Sequence, residues 1–174
     1  MDHLDTRAPE ASQAEAERQV TALYQAHALS LARLAMLMLG DADAAQDVVQ
    51  DAFLGLYRRW EKLANVGAAP AYLRASVLNG CRTALKKRSR PVFHAVEEPL
   101  ESAESALMHT EEQRAMLAAI RRLPARQREA LVLRYYLDMT EDQAARAMGV
   151  SRGTVKSATS RAVAAVGRLL KEES

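Results

Sequence analysis

The sequence predicts an all-α protein made of two small helical domains joined by an acidic linker. Glycine and proline are sparse, at seven and five of 174 residues, while the helix-favouring residues alanine and leucine are abundant. Apolar residues recur at intervals of three and four over most of the chain, as they do in amphipathic helices. Residues 91–110 break this pattern with prolines and scattered glutamates, which favours a linker between two domains.

The N-terminal elements begin with a predicted disordered tail at residues 1–14, a segment that lacks hydrophobic periodicity. From residue 15 to 39 apolar residues follow helical spacing, which predicts a long amphipathic helix. Gly40 suits the end of this helix, and Asp41 or Asp43 suits the N-cap of the next.

Two more helices complete the predicted first domain, residues 15–90. The second helix is expected over about 44–60 and has an apolar stripe on one side. A loop at 61–69 follows, and Pro70 suits the first turn of a third helix that extends to about residue 87.

The second predicted domain spans residues 111–174. It starts with a helix near Thr110, and a further helix is expected over 125–136 after the break at Pro124.

The segment 131–170 has the pattern of a helix-turn-helix. Thr140 and Gln143 stand three residues apart, as in a capping box at the start of a helix. Gly149 suits the left-handed residue of the turn, and Ser151 can cap the second helix.

The second helix of this motif has two distinct faces. Its inward face is predicted to consist of Val155, Thr159, Ala162 and Val166. Its outward face combines long cations with short hydroxyl side chains, namely Arg152, Lys156, Ser157, Ser160 and Arg161. Because these groups suit base edges and phosphates, we predict that this helix lies in a DNA major groove.

The modest net charge of +2 conceals a segregated distribution. Residues 58–90 contain nine Lys and Arg against one acid, and residues 114–174 contain twelve against six. Between them, residues 91–112 contain six glutamates and no Lys or Arg. Two basic blocks separated by an acidic strip indicate two nucleic-acid surfaces.

Composition argues against several other classes of protein. Cys81 is the single cysteine, which excludes an internal disulfide and fits a reducing compartment. The polar N-terminus resembles no signal peptide, and we find no uncharged run long enough for a membrane span, so we expect a soluble, cytoplasmic protein without membrane insertion. The histidines are scattered and show no metal-ligand spacing: His3, His27, His94 and His109. We therefore expect no catalytic residues, no metal, no cofactor and no enzymatic activity.

Three segments resemble the extracytoplasmic-function class of bacterial RNA polymerase sigma factors. GDADAAQDVVQDAFLGLYRRW (40–60) resembles the helix of that family that docks on the polymerase clamp. AYLRASVLNGCRTALKKR (71–88) resembles its promoter-melting helix. LPARQREALVLRYYLDMTEDQAARAMGVSRGTVKSATSRA (123–162) resembles its −35 recognition region. Order and spacing also agree over residues 15–170, in the style of the actinobacterial SigE-like subgroup.

The resemblance implies contacts with core RNA polymerase. Asp47, Gln50 and Asp51 share one helix face, which by resemblance meets the clamp helices of the largest subunit. Spacing alone would favour an ordinary solvated acidic face. The resemblance also implies a contact with the flap of the second-largest subunit, and an anti-sigma factor as a partner.

The resemblance further implies that 15–90 and 111–174 are sigma regions 2 and 4, which bind the −10 and −35 promoter elements. In the family the loop matching 61–69 cradles a flipped base of the −10 element, and the residue matching Asn79 contacts it. Arg82 lies beside this site, and the cations expected to hold the DNA backbone follow it: Lys86, Lys87 and Arg88.

For the −35 element, the residues that match contacting positions are Lys156, Ser157, Ser160 and Arg161. Arg134 matches a phosphate-contacting arginine, and Arg152 in the first turn of its helix is also expected to contact phosphate. The chain departs from the family at Ser160, where relatives often have a large aromatic side chain, which leaves its base preference open.

Two alternatives remain open on the sequence alone. The acidic linker is either a solvated tether or a segment that enters the polymerase channels in imitation of nucleic acid. The whole chain could instead be a stand-alone helix-turn-helix regulator with an N-terminal ligand or dimerisation domain, although that reading leaves the basic helix at 71–90 unexplained. A nuclease is disfavoured because no carboxylate or histidine site is recognisable.

Overall fold

The computed structural model describes residues 7–63, 65–88 and 110–172, with side chains from residue 12 onward. These residues form seven α-helices: α1 (Arg7–Leu39), α2 (Ala42–Arg58), α3 (Ala69–Arg88), α4 (Glu111–Arg121), α5 (Ala125–Leu131), α6 (Glu141–Met148) and α7 (Arg152–Glu172). Two 3₁₀ turns, Trp60–Lys62 and Val66–Ala68, lie between α2 and α3. The predicted all-α class is confirmed.

The predicted N-terminal tail is partly wrong. Helix α1 begins at Arg7, so residues 7–14 of the segment predicted to be disordered are helical. The three alanines and Glu10 in this stretch favour helix, and the established helix that follows removes the cost of nucleation. Residues 1–6 lie outside the described residues, as does the predicted linker 91–110 apart from Thr110.

Helices α1–α3 pack into a three-helix N-terminal unit. Asp41 is the N-cap of α2, and its carboxylate accepts from the backbone N–H of Ala44 at 3.0 Å, as one of the two predicted alternatives requires. Gly40 precedes it with a φ of 66°, which allows the sharp reversal after α1. The largest fully buried side chains of this unit are Leu34, Met38, Leu56, Leu73, Val77 and Cys81.

Helices α4–α7 form the C-terminal unit, in which the predicted helix 125–136 is interrupted. Its last turn, Val132–Tyr136, is π-helical, and the N–H of Leu137 donates to the carbonyl of Val132 at 3.1 Å. Asp138 follows in a left-handed conformation with a φ of 50°, which ends the helix. The helical interpretation of this segment was right, but its periodicity does not distinguish an α-turn from a π-turn.

The predicted caps of the helix-turn-helix are confirmed. Thr140 and Gln143 form a reciprocal capping box at the start of α6. Gly149 ends α6 with a φ of 65°, and the Ser151 hydroxyl accepts from the N–H of Thr154 at 3.1 Å at the start of α7. The turn therefore holds α7 at a fixed angle to α6.

The two units share a hydrophobic core. One continuous cluster includes Leu31 and Leu34 of α1 together with Leu133, Ala144 and Val155 of the C-terminal unit. A second, smaller cluster lies wholly within the C-terminal unit, around Ala119, Leu123, Ala162 and Val166. The sequence predicts two domains, but it does not reveal that they pack against each other.

The stretch Ser12–Leu39 of α1 is long and apolar enough to cross a membrane, with a mean hydropathy of 1.2. Leu34 and Ala35 in its C-terminal half are fully buried in the core. Because core helices of water-soluble proteins pass the same test, this stretch is weak evidence for a membrane span.

Candidate nucleic-acid and polymerase interfaces

Helix α7 separates a buried face from a polar face in the predicted way. Val155, Ala162 and Val166 are buried, and Thr159 is half-buried. The side chains of the predicted DNA face are exposed, and they lie within two helical turns of one another: Lys156, Ser157, Ser160 and Arg161. Cations and hydroxyls on one exposed helix face can contact both phosphates and base edges.

Arg152 in the first turn of α7 is held against α6. Its Nε donates to a carboxylate oxygen of Glu141 at 2.8 Å, and a guanidinium nitrogen lies 3.9 Å from Asp142. The hydrogen bond from Arg152 lowers the pKa of the Glu141 carboxyl group below its ordinary value. A phosphate contact by Arg152 would therefore compete with two acids at the start of α6.

The side chain of Arg134 does not belong to the exposed polar face of α7. It is half-buried in the π-helical turn and donates to the carbonyl oxygen of Met139, just before the helix-turn-helix. In this position the guanidinium braces the turn that leads into α6. Its predicted phosphate contact remains a prediction.

The predicted −10 residues lie along α3, but they are not equally accessible. Asn79, Lys86 and Lys87 are exposed. Arg88 bonds within the N-terminal unit, because its guanidinium donates to the Leu39 carbonyl at 2.8 Å and to the Asp41 carboxylate at 2.9 Å.

Arg82 is half-buried at the contact between the two units. Its Nε donates to the carboxylate of Glu129 in α5 at 2.9 Å, and a second guanidinium nitrogen donates to the same oxygen. That nitrogen also donates to the carbonyl of Ala147 in α6 at 2.7 Å. Sequence analysis missed Glu129, because nothing in its local pattern distinguishes a buried acid from a solvated one.

The acidic face of α2 is exposed as predicted. Asp47, Gln50 and Asp51 all face solvent. Leu54, one turn further along the same face, is 51% exposed although it is apolar, and the sequence analysis did not single it out. Asp47 and Asp51 also line a groove of about 420 Å³ between α2 and α3, and Lys87 lies on its other side.

An apolar groove of about 610 Å³ lies where α1 meets the C-terminal unit. Its lining includes Leu37, Met116, Ile120, Val132, Tyr135 and Val163. Three of these side chains, Met116, Tyr135 and Val163, are between 42% and 69% exposed, so they form an exposed apolar patch along one groove. Sequence analysis missed this groove because its residues come from four separate segments.

Comparison with known proteins agrees with this arrangement. Residues 23–91 match the model of sigma-70 region 2, and residues 113–166 match the model of sigma-70 region 4. The first match covers α2 and α3 entirely, and the second covers the helix-turn-helix as far as residue 166. The fold and its two matched regions thus define a sigma-70-type transcription initiation factor.

Comparison with curated relatives identifies the family within this class of transcription factors. The chain is 36% identical over 140 residues to the RNA polymerase sigma-E factor of Streptomyces coelicolor, covering 78% of this chain and 76% of that protein. It is 32% identical over 152 residues to the ECF RNA polymerase sigma factor SigM of Mycobacterium tuberculosis, covering 85% and 75%. A solved structure, the sigma factor RpoE of Bartonella quintana in complex with the anti-sigma factor NepR, is 25% identical with a TM-score of 0.62, covering 86% of this chain and 97% of that one. The chain belongs to the extracytoplasmic-function family of sigma factors, and its similarity to the sigma-E proteins fits the SigE-like actinobacterial subgroup.

Proposed function

We propose that this chain acts as an alternative sigma factor that binds core RNA polymerase, recognises −35 and −10 promoter elements and promotes DNA melting. The observation that supports this most strongly is the pair of region 2 and region 4 matches, each of which includes an exposed polar helix face. Residues 15–90 would recognise the −10 element, and residues 111–174 would recognise the −35 element. The chemistry of RNA synthesis would belong to the polymerase, so this chain would contribute no catalytic residue.

We assign −35 recognition to the exposed face of α7. Lys156 and Arg161 would supply charge to phosphates or guanine edges, and Ser157 and Ser160 would donate or accept at base edges. Arg152 would exchange Glu141 for a phosphate when DNA arrives. Salt would weaken this binding, since each neutralised phosphate releases counterions.

We assign −10 recognition to the exposed side of α3 near the 61–69 loop. A base extruded from the duplex loses a few kcal/mol of stacking and pairing, which pocket hydrogen bonds can offset. Asn79 offers both donor and acceptor groups for such a base, and Lys86 and Lys87 lie about two helical turns further along.

We assign the polymerase clamp contact to the face of α2 that contains Asp47, Gln50 and Asp51. Leu54 adds an exposed apolar group beside these acids, and an apolar group ringed by polar ones is typical of protein interfaces. The flap of the second-largest subunit would contact the C-terminal unit.

A regulatory partner also follows from the relatives. The solved sigma factor of Bartonella quintana is bound to an anti-sigma factor, and we propose that an anti-sigma factor holds this chain as well. The apolar groove around Met116 and Val163 offers the type of surface that a partner helix covers. Since polymerase and promoter DNA are cytoplasmic, this is where the protein would act.

The test is transcription by bacterial core RNA polymerase with and without the purified protein on fragmented genomic DNA. We expect transcripts from a small, defined set of start sites. The variant Asp47→Arg/Asp51→Arg should weaken binding to core polymerase by more than about tenfold, because it places cations against a surface that accepts acids.

Glu172→Arg is the matched control, since it reverses an exposed charge at the far end of α7. It should bind core polymerase like the wild type. Failure of the folded wild type to bind core polymerase would contradict the proposal. Tight binding of a palindromic duplex without polymerase would then favour the stand-alone regulator.

A further inference from the structure

Gly153 in helix α7 is a glycine that the fold does not require. It lies in the first turn of the helix and is exposed. Its backbone does not need glycine, because Gly40 and Gly149 are the glycines with a positive φ in the described part of the chain. A Cβ atom added at Gly153 would meet the Ser151 hydroxyl oxygen at 3.9 Å, which is ordinary contact. Alanine would therefore fit at this position and would favour the helix more than glycine does.

Other glycines in the helices are explained differently. Gly80 lies against α2, where an added Cβ atom would come within 2.7 Å of Val48. Packing thus excludes a side chain there. Gly167, further along α7, has open space around it like Gly153. Open space alone does not identify a functional glycine, so the position on the helix has to decide.

Gly153 lies on the face of α7 that we assign to −35 recognition. Ser157 and Ser160 follow it after four and three residues, so these positions form one line along the helix. This line is nearly opposite the buried side of α7. The exposed cations Lys156 and Arg161 flank the line on its two sides. The centre of the proposed DNA surface therefore begins at a residue without a side chain.

The short reach of the two serines makes the line sensitive to side-chain size. A hydroxyl oxygen lies one bond beyond Cβ, so Ser157 and Ser160 can bond to base edges only if the helix backbone comes close to them. The major groove is about 12 Å wide and a helix with its side chains about 10–12 Å across, which leaves little room. A side chain at residue 153 would hold the N-terminal end of α7 away from the bases, and this end is the one that helix-turn-helix proteins place against base edges.

The flanking cations depend less on this close approach. The side chains of Lys156 and Arg161 are long and flexible, so they can still contact phosphates when the helix lies further out. Phosphate contacts carry no direct sequence information. A helix held away from the bases would therefore lose discrimination between sequences more than it loses total affinity.

We propose that Gly153 is a positioning residue for −35 recognition, whose missing side chain lets α7 lie deep enough in the major groove for Ser157 and Ser160 to read base edges. This inference rests on the proposed −35 role of α7. Gly153 itself reads no base. DNA takes the space that a side chain would fill, which accounts for a poor helix former at an open helical position.

The test uses the complex of the full chain with core RNA polymerase and two DNA fragments. One fragment carries a promoter found in the transcription experiment, and the other is the same fragment with its −35 element scrambled. The measured quantity is the Kd for the scrambled fragment divided by the Kd for the intact one. We expect Gly153→Leu to lower this ratio on the order of tenfold, as the loss of a base contact does. Gly153→Ala should lower it by a smaller factor.

Gly167→Leu is the matched control, since it makes the same change at an open position roughly four turns further along α7. It should leave the ratio unchanged. Urea denaturation provides the second readout. Gly153→Ala and Gly167→Ala should both raise the midpoint of unfolding, because alanine favours the helix. Weaker discrimination in a more stable protein excludes misfolding as the cause.

A wild-type complex that distinguishes the two fragments, together with a Gly153→Leu complex that distinguishes them equally well, would overturn the inference and leave the proposed function intact. A folded wild type that binds polymerase but does not distinguish the fragments would contradict the −35 role of α7 itself. The role of Gly153 would then be wrong as well.

Discussion

Gly80 of α3 lies directly against the side chain of Val48 of α2. A Cβ atom added at Gly80 would lie 2.7 Å from Cγ1 of Val48, well inside ordinary contact distance. The missing side chain therefore lets α3 lie directly on α2. This brings Lys87 to the same groove as Asp47 and Asp51, so the proposed DNA and polymerase surfaces adjoin each other.

Gly80→Ala should lower the free energy of unfolding by about 1 kcal/mol. Overpacking costs roughly 1–3 kcal/mol, and the better helix propensity of alanine returns up to about 1 kcal/mol. Val48 is β-branched and has little rotamer freedom in a helix, so it cannot move aside cheaply. Urea denaturation measures the change.

Gly167→Ala is the matched control, since a Cβ added there meets nothing within 4 Å. The same substitution in α7 should stabilise the protein by about 0.5–1 kcal/mol. Equal stabilisation by both substitutions would show that α2 and α3 are not in close contact at Gly80.

Gly149 tests the turn of the helix-turn-helix. Its φ of 65° is left-handed, and a Cβ added there has open space around it. Gly149→Ala should therefore cost about 1–2 kcal/mol through backbone strain alone. Gly149→Asn should cost less, because asparagine tolerates this conformation better, and an equal loss for both would point to a packing cause instead.

The exposed cations of α7 should determine the salt dependence of −35 binding. The plot of log K against log salt concentration has a negative slope. Lys156→Ala and Arg161→Ala are each expected to make this slope less steep by about 1, if each cation neutralises one phosphate. Fluorescence anisotropy with a −35 duplex at several salt concentrations measures this slope. Lys171→Ala, in the last turn of the same helix, should leave it unchanged.

Cys81 should be protected from alkylation in the folded protein. It is fully buried, and burial in the core raises the pKa of its thiol from 9.0 to about 12, with the nearby charge of Glu129 as a smaller cause. At pH 9 roughly a thousandth of the folded thiol would be ionised, against half of an unfolded thiol. Its reaction with iodoacetamide should therefore follow the urea unfolding curve.

The raised pKa of the Cys81 thiol also makes the stability of the folded protein depend on pH. Because the folded pKa lies above the unfolded value, the neutral thiol favours the folded state, and this contribution is lost as pH rises above about 9. Ser160→Cys, exposed on α7, is the control and should react rapidly without denaturant. Equally rapid reaction of Cys81 in the native protein would contradict its burial.

The sequence by itself determined the local structure and the family. Caps are short-range: Thr140 and Gln143 stand one turn apart, so their bonding depends on few other residues. The faces of α2 and α7 also follow from spacing, since a helix fixes the direction of each side chain. For this reason the exposed positions of Asp47, Lys156 and Arg161 could be predicted.

The tertiary structure alone decided how the two units meet. Arg82 and Glu129 are 47 residues apart in sequence, and each is unremarkable among its neighbours. The apolar groove and the shared core likewise combine side chains from distant segments. Periodicity identifies which face of a helix is apolar, but it does not specify which other helix packs against that face. That choice depends on packing between elements, and here it turned a predicted DNA contact into a contact within the protein.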